Sequence, residues 1–310
     1  MAKKRKTKNI NKIITAVLLA VIIIVSVIIN NGEKFGVPNW NDIFVSSNLT
    51  TAKQTNCDGL TLSFIDVGQG DSTLLYAENM AVLIDGGEKE YGETIINELS
   101  SIGIEKLDLL IATHPHSDHI GALPYVLDNI KCDKVIMPKL PENLVPVTAV
   151  YKNFLTAVKN NGANASYAYV NDEFVFDDIR LTILGPITYK SDLNNSSLVV
   201  RIDYGETSFL IGGDEEQAVE KEIIKAGIDV DVDLLHCGHH GSKYSTCDEF
   251  LNAVSPKYAI ISVGEGNSYG HPHEETLVRL NNYNVKFYRT DLDGTIICNS
   301  DGKTISFKER

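Results

Sequence analysis

The feature that most constrains this 310-residue chain is a run of metal-binding side chains directly after a short apolar segment. Residues 109–112 read Leu-Leu-Ile-Ala, and a buried strand is the simplest structure for such a run. The end of that strand would deliver His114, His116, Asp118 and His119 to one place. Imidazole nitrogens and carboxylate oxygens are the usual ligands of divalent ions such as zinc. The pattern therefore predicts a metal site rather than a solvated turn.

The remaining histidines favour one shared site. All eight lie in three groups, at 114–119, 236–240 and 271–273, and each group follows a predicted strand or a loop at a strand end. Asp214 also follows a predicted strand, at 209–211. Strand ends gathered along one edge of a fold can bring distant segments to a single cleft. We expect Asp214 and the second histidine group to join the first.

The charge and the cysteine content limit the classes of function that this chain can have. The formal charge is −13, and the six basic residues within positions 1–12 leave −19 for the remainder. Such an acidic body repels phosphate backbones at long range, which argues against a tight, nonspecific nucleic-acid binder unless metals or a local basic patch reverse the field. The five cysteines are scattered and contain no Cys-x-x-Cys pair, so no disulfide framework or zinc ribbon is predicted.

The N-terminal segment predicts a membrane anchor. A basic cytoplasmic segment, residues 1–12, precedes residues 13–29, which carry no charge and span about 26 Å as a helix. A cleaved signal peptide is the alternative, but the segment's end offers no small residues for cleavage. By the positive-inside rule, residues 30–58 form an extracytoplasmic linker and residues 59–310 a domain outside the cell membrane, in a single-pass arrangement.

The body alternates between strands and helices twice. Strands are predicted at 60–67, 72–76 and 81–84, and helices at 95–102, 147–158 and 215–226, among others. Strand runs followed by helices, twice over, indicate two sheets with helices packed outside. The predicted fold class is α/β, a four-layered αββα sandwich preceded by one transmembrane helix.

Several motifs resemble the metallo-β-lactamase superfamily, and more narrowly the C-terminal domain of ComEC-type competence proteins. The matching segments are FIDVGQGDS, VLIDGG, THPHSDHIGAL, NNSSLVVRI, FLIGGD, HHGS, YGHPH and RTDLDG, between residues 64 and 294. The resemblance implies a dinuclear metallo-β-lactamase site. His114 and His116 would hold the first ion, Asp118 and His119 the second, and Asp214 would bridge them.

One departure concerns the first ion. Many members of the superfamily supply a third histidine between the signature and the bridging aspartate, where this chain has Asn194, Asn195 and Ser196 instead. One or two divalent ions are therefore expected. Zinc is the first expectation and manganese the alternative, because a neutral amide suits a harder ion better than zinc.

Further roles are assigned around the cation, which would lower the pKa of bound water and neutralise charge on a phosphoryl oxygen. Asp118 would orient the attacking water as well as bind metal. Of the adjacent imidazoles, His239 is assigned to metal and His240 to the oxyanion or leaving group, with the reverse order as the alternative. His271 is assigned to substrate or proton donation, with an ordinary turn histidine as the alternative.

Four more residues receive secondary roles. Asn195 and Ser242 are expected to contact substrate. Asp71 is expected to hold the ligand loop by hydrogen bonding, with an ordinary turn aspartate as the alternative. His236 is expected to be structural, because the preceding strand should bury it.

The expected function is a membrane-anchored, divalent-metal-dependent hydrolase of phosphoesters, either a phosphodiesterase or a nuclease. Its substrate would be a small phosphoester or a nucleic acid, and no obligate protein partner is evident. The alternative is a non-enzymatic or accessory component that handles DNA in a competence-like uptake system. Diiron oxygen reductases of this fold and β-lactam hydrolysis are less favoured.

Overall fold

The computed structural model describes residues 59–308, in which eight strands form the first of two sheets. These strands are β1 (Leu60–Phe64), β2 (Thr73–Ala77), β3 (Met80–Ile84), β4 (Lys106–Ile111), β5 (Lys131–Pro138), β6 (Asn164–Ala168), β14 (Ile296–Ser300) and β15 (Ile305–Phe307). Their spatial order is β15-β14-β1-β2-β3-β4-β5-β6. The pairs within β14-β1-β2-β3 are antiparallel, as expected for the first three strands of the body, and those from β3 to β6 are parallel.

Seven strands form the second sheet. They are β7 (Glu173–Phe176), β8 (Ile179–Gly185), β9 (Val199–Tyr204), β10 (Thr207–Ile211), β11 (Leu234–His236), β12 (Tyr258–Ile261) and β13 (Lys286–Arg289). Their spatial order is β13-β12-β11-β10-β9-β8-β7, and β10 to β13 run parallel. Each sheet thus contains a parallel set of four strands whose carboxyl ends share one edge.

Helices cover the outer faces. They are α1 (Gly92–Ser101), α2 (Ser117–Ile120), α3 (Leu123–Asn129), α4 (Ala149–Asn161), α5 (Gln217–Lys225), α6 (Asp248–Val254), α7 (Glu274–Asn282) and α8 (Thr290–Asp293). Side chains of α1, α3 and α4 pack on the first sheet, and those of α5, α6 and α7 pack on the second. None of the helices between residues 59 and 308 is long and apolar enough to cross a bilayer.

Three apolar clusters explain why these layers form. In β3, Val82 and Ile84 face the cluster between the sheets, while Leu83 faces the helices. In β10, Phe209 faces the cluster between the sheets and Leu210 faces the helices. The two-residue period of a strand allows both faces to be apolar when both are covered. Full burial of each such side chain contributes about 1.5–3 kcal/mol. The predicted pair of sheets with helices outside is confirmed for the described residues.

Some elements differ from the sequence prediction. Strands β6 and β7 and helices α3, α6 and α7 were not anticipated. Strand β6 is exposed except at Ala168, and β7 is only four residues long. Helix α5 begins at Gln217 rather than at residue 215, so Glu215 is not in its first turn. The Glu215 side chain is buried instead. The predicted basic segment, anchor and linker, residues 1–58, lie outside the described residues.

Candidate metal centre

The carboxyl ends of the parallel strands supply the candidate site. Asp85 follows β3 and residues 113–119 follow β4 in the first sheet. Asp214 follows β10, and residues 239–240 follow β11, in the second sheet. Because the two parallel sets end at facing edges, segments more than 120 residues apart in the chain meet in one cleft. The structure thus brings Asp214 and the second histidine group close to residues 114–119, as the sequence predicted.

One ligand group combines Asp118, His119, Asp214 and His240. His119 Nε2 lies 3.2 Å from Asp214 Oδ1, and His240 Nε2 lies 3.5 Å from the same oxygen. His240 Nε2 is also 3.4 Å from Asp118 Oδ2. Four donor atoms from two sheets therefore surround one point.

A second group combines His114, His116 and the other oxygen of Asp214. His114 Nε2 lies 3.6 Å from Asp214 Oδ2 and 2.9 Å from His116 Nδ1. Because Oδ1 faces the first group and Oδ2 faces this one, the Asp214 carboxylate stands between the two groups. That geometry is the one a bridging ligand requires.

These donor sets fit divalent ions. Donors bound tetrahedrally at about 2.0–2.1 Å lie about 3.3 Å from one another, and the separations of 3.2 to 3.6 Å are close to that value. Asp214 Oδ1, His119 Nε2 and His240 Nε2 are buried and have no hydrogen-bond partner. Buried polar atoms without partners are costly, and a shared cation would satisfy all three. Nitrogen and oxygen donors suit zinc or manganese.

A buried carboxylate fixes the His119 ring. Asp85 Oδ2 lies 2.8 Å from His119 Nδ1 and accepts a hydrogen bond from Thr113 Oγ1, and Asp85 Oδ1 accepts one from Thr113 N. With the proton held on Nδ1, the Nε2 lone pair is directed at the ligand group. No role was predicted for Asp85 from the sequence. It could have been recognised from its position, because it follows the apolar run of β3 directly and precedes two glycines.

Asp71 has a similar position beside His240. Asp71 Oδ1 lies 3.2 Å from His240 Nδ1, which also contacts the Ser262 carbonyl at 3.0 Å. The Asp71 main-chain N–H donates to the Asp118 carbonyl, which ties the turn to the ligand loop. His236 is buried in β11, with Nε2 2.9 Å from Ser262 Oγ. Both residues are where their expected supporting roles require them.

The two adjacent imidazoles have positions opposite to those expected. His240 belongs to the ligand group with Asp118, whereas His239 lies outside both groups of the described residues. His239 Nε2 is 3.7 Å from Asp214 Oδ2 and 3.4 Å from Asn194 Nδ2, at the open side of the cleft. Both histidines have left-handed backbone, with φ of 50° and 53°. Such strain in non-glycine residues is concentrated at functional sites, and here it turns the second ring inward.

The charges of the site are strongly coupled. Burial alone would lower the pKa of His119 and His240, but the surrounding carboxylates, Asp214 foremost for His119 and Asp71 for His240, raise both well above the ordinary value. Burial lowers the pKa of His114 and His116. In the metal-free protein, His114 and His116 are therefore neutral and share a hydrogen bond between Nε2 and Nδ1, while a cation in the other group must displace protons.

The pKa values of the carboxylates Asp118 and Asp214 are shifted in the opposite direction from those of His119 and His240. Burial would raise the pKa of Asp118 and Asp214, but the adjacent imidazoles hold both below the ordinary value. For Asp118 the largest opposing contribution comes from His240, whose Nε2 lies 3.4 Å from Asp118 Oδ2, and for Asp214 it is the charge of His119. Both carboxylates are therefore ionised at neutral pH and available as ligands.

The ligand groups form the floor of an open cleft of about 330 Å³. Its lining residues are Gln69, His116, Ser117, Asp118, Asn194, Asp214, His239, His240, Tyr269 and His271. His271 is at the rim, as its expected substrate role requires, and its ring stacks on exposed Tyr269 with centroids 5.8 Å apart. Burial, with the charges of His240 and His239, lowers the pKa of His271 to about 4, so its imidazole is neutral at pH 7.

Two expected substrate contacts are directed away from the cleft. Asn195 is buried, donates through Nδ2 to Asp192 and accepts from Glu216 N. Ser242 is also buried, and its Oγ accepts from Tyr244 N. Residues 194–196 form a single 3-10 turn, which directs Asn194 to the cleft and Asn195 to the protein interior. Both Asn195 and Ser242 thus stabilise loops instead of lining the cleft.

Comparison with known proteins agrees with this geometry. Residues 65–265 match the metallo-β-lactamase superfamily. The chain is 35% identical over 254 residues to ComE operon protein 3 of Bacillus subtilis, covering 76% of this chain and 32% of that protein. It is 31% identical to competence protein ComA of Neisseria gonorrhoeae and to recombination protein 2 of Haemophilus influenzae, covering 74% and 76% of this chain. The chain spans about a third of the length of these relatives.

Solved structures share the fold at low identity. A mutant of the CmlA β-hydroxylase superimposes with a TM-score of 0.53 at 13% identity, covering 86% of this chain and 58% of that one. Tm1679, described as a metal-dependent hydrolase of the β-lactamase superfamily, gives a TM-score of 0.50 at 14% identity, covering 74% and 95%. The fold, the two ligand groups joined by Asp214 and the sequence match agree, and this chain belongs to the metallo-β-lactamase superfamily.

Proposed function

We propose that this protein is a divalent-metal-dependent hydrolase that cleaves phosphodiesters. The observation that carries the proposal is the Asp214 carboxylate, whose two oxygens each face a separate ligand group at the floor of one open cleft. Ions held there would act as Lewis acids and lower the pKa of bound water toward about 7. The cleft volume of about 330 Å³ suits a single phosphodiester group with its immediate neighbours rather than a folded polymer.

The geometry supports different roles for the adjacent histidines, with His240 as a metal ligand and His239 as a substrate contact. His114 and His116 would hold one ion, and Asp118, His119 and His240 the other, with Asp214 shared. His239 remains at the open side, where its imidazole can contact a phosphoryl oxygen or the leaving group. This assignment exchanges the roles expected from the sequence for His239 and His240, because His240 alone has its Nε2 near both Asp118 and Asp214.

The chain's own groups would position the substrate. Asn194, His239 and His271 surround the mouth of the cleft and offer amide and imidazole N–H donors to phosphoryl oxygens. Such donors stabilise charge that develops during cleavage when they are fixed in advance. Tyr269 presents an exposed ring beside His271, suited to a flat leaving group or base.

The character of the relatives supports a nucleic acid over a small phosphoester. They are named as competence and recombination proteins. The −19 charge outside residues 1–12 works against long-range capture of DNA, so any polynucleotide must be held by local contacts. The competing candidate, an accessory DNA-handling protein without catalysis, would retain DNA but leave it intact.

The test is turnover of bis(p-nitrophenyl) phosphate and of a short oligonucleotide by the full chain with manganese, zinc or cobalt. His116→Ala should lower the rate by about a hundredfold or more, because it removes a ligand. Lys159→Ala, an exposed change on α4, is the matched control and should keep the wild-type rate. The proposal fails if no ion supports cleavage of either substrate, or if His116→Ala retains full activity.

Metal analysis separates the two histidines. His240→Ala should reduce the bound metal measured by mass spectrometry, whereas His239→Ala should keep the metal content and slow turnover. The opposite result would restore the order expected from the sequence.

We also propose that residues 13–29 anchor the protein in the cell membrane, with the catalytic domain on the outer side. The support is the uncharged run after a basic segment. The full chain should resist alkaline carbonate extraction from membranes, and external protease should degrade its body in intact spheroplasts. Release of an unprocessed chain by carbonate would contradict the anchor, and a shortened N-terminus would indicate cleavage.

A further inference from the structure

An exposed group of aromatic residues around one lysine lies at the far edge of the first sheet. Tyr167 and Tyr169 are each 51% exposed and Tyr189 is 62% exposed. Met137 pairs with Tyr167 and Pro138 with Ala168, so Lys139, directly after β5, lies beside Tyr167 and Tyr169 of the neighbouring strand and its end. The phenol groups of Tyr169, Tyr189 and Tyr167 raise the pKa of Lys139. We call these four residues the tyrosine–lysine cluster. None of them belongs to either ligand group.

Strand register places the cluster beside the metal cleft. Ile111 pairs with Ile136, and Pro138 pairs with Ala168, so the ends of β4, β5 and β6 lie side by side. His114 follows β4 after two residues, Lys139 follows β5 directly, and Tyr169 follows β6 directly. Neighbouring strands are about 4.8 Å apart, so the end of β5 lies one strand from that of β4 and the end of β6 two.

The third aromatic ring of the cluster, that of Tyr189, is carried by a loop that leads to the metal cleft. Tyr189 lies on the segment between β8 and the 3-10 turn that begins at Asn194. Asn194 lines the metal cleft, so this segment leads from the cluster to the ligand groups.

The charge of Lys139 is not neutralised by an ion pair. Among residues 59–308, no carboxylate lies within 4 Å of its ammonium, whereas Lys190 in the neighbouring loop is paired with Glu222. Lys139 therefore offers an exposed positive charge in a chain whose body carries a large negative charge. Together with three exposed rings, it offers flat stacking faces and one phosphate contact.

We propose that the tyrosine–lysine cluster binds the unpaired strand of a polynucleotide beyond the phosphodiester held in the metal cleft. Bases would stack on the tyrosine rings, and Lys139 would contact a backbone phosphate. The inference rests on the proposed phosphodiesterase function and adds where its substrate extends. A duplex keeps its bases stacked inside, so it cannot offer them to these rings, and the acidic body repels it. Single-stranded substrate is therefore preferred.

Binding is tested without catalysis. Fluorescence anisotropy follows a labelled oligothymidylate on the full chain in EDTA at low salt, beside an abasic strand of equal length and a duplex. The double variant Tyr169→Ser with Tyr189→Ser should raise the Kd for oligothymidylate by about tenfold, since stacking contributes about 1–3 kcal/mol per base. Its Kd for the abasic strand should remain near that of the wild type. Lys139→Ala should weaken binding of both strands and lower the salt dependence by about one phosphate contact.

Matched controls are Tyr125→Ser and Lys159→Ala, exposed residues on the helices that cover the first sheet. Both should bind oligothymidylate like the wild type. Circular dichroism and melting temperature confirm that each variant is folded. Unchanged binding in the cluster variants overturns the inference, as does equal loss for the base-containing and abasic strands.

Two other outcomes also count against it. Duplex bound as tightly as single strand would remove the role of the rings. A shift from dimer to monomer in the cluster variants, with unchanged binding, would make the cluster a contact between copies of the chain. Because binding is measured without metal, its loss is independent of the His116→Ala result. Binding through the cluster without cleavage in any metal would refute the hydrolase and leave the binding site standing.

Discussion

Replacement of Asp85 by asparagine tests how the site prepares His119 for metal. The carboxylate is fully buried and accepts from Thr113 N at 2.8 Å, from Thr113 Oγ1 and from His119 Nδ1. Asparagine keeps the shape but replaces one acceptor oxygen with an NH₂ donor. If the amide oxygen stays on Thr113 N, the NH₂ group faces His119 Nδ1. The proton must then move to Nε2, where it blocks the lone pair directed at Asp214.

The opposite amide orientation gives no relief, because the NH₂ group would then face the donor N–H of Thr113. The first orientation thus blocks the Nε2 lone pair, and the second leaves one buried donor–donor contact. Loss of a carboxylate behind a ligating histidine typically lowers metal affinity by about ten- to a hundredfold, which is about 1.4 to 2.7 kcal/mol. We expect Asp85→Asn to fall in that range. The fold should persist, because the side-chain volume is unchanged.

Isothermal titration of manganese and zinc into the full chain measures the affinity, and cobalt absorption reports the number of imidazoles bound. The matched control is Asp108→Asn on β4, where the carboxylate accepts from Ala81 N and pairs with Lys106 away from the cleft. The control should bind metal like the wild type. A metal affinity within twofold of the wild type in a folded Asp85→Asn protein would refute the tautomer argument.

Two further predictions concern stability. Burial, with the charge of Glu220, raises the pKa of Glu215 well above 4.5, so its stabilising contribution is complete below pH 4.5 and is lost as pH rises. In urea unfolding of the metal-free protein, Glu215→Gln should therefore gain stability relative to the wild type by about 1.4 kcal/mol per pH unit from pH 4.5 up to the raised native pKa, and the difference should then level off. A difference that does not change as the pH rises from 4.5 would contradict this. Gly70→Ala should cost about 2–4 kcal/mol and weaken metal binding, because φ is 152° and its Cβ would lie 2.4 Å from the Asp118 carbonyl. Gly103→Ala, with φ of 77° and open space, should cost only about 1–2 kcal/mol and leave metal binding unchanged, and equal costs would refute the steric argument.

Local patterns in the sequence were enough to find the chemistry of the site. His114, His116, Asp118 and His119 were identifiable because a strand of apolar residues ends directly before them, and Asp214 because it has the same position after β10. Strand periodicity also predicted two sheets with helices outside, since both faces of the inner strands are apolar. Strand β6, which is exposed except at Ala168, left no such pattern, so the position of Tyr169 could not be predicted.

The choice between neighbouring residues required three dimensions. Asn194 and Asn195 differ by one step of a 3-10 turn, and only the first faces the cleft. His239 and His240 carry the same ring. Their order depends on a left-handed backbone held where Gly241 packs against Pro272 and Gly238 against Glu215.

The sequence by itself determined which side chains could bind a cation and that strand ends would carry them, because apolar periodicity and ligand chemistry are local properties. Tertiary structure alone decided which oxygen of Asp214 faces which ligand group, which imidazole is directed inward, and that Lys139 stands beside three tyrosines. Those outcomes depend on strand register and on backbone angles set by contacts between distant parts of the chain, which no short segment encodes.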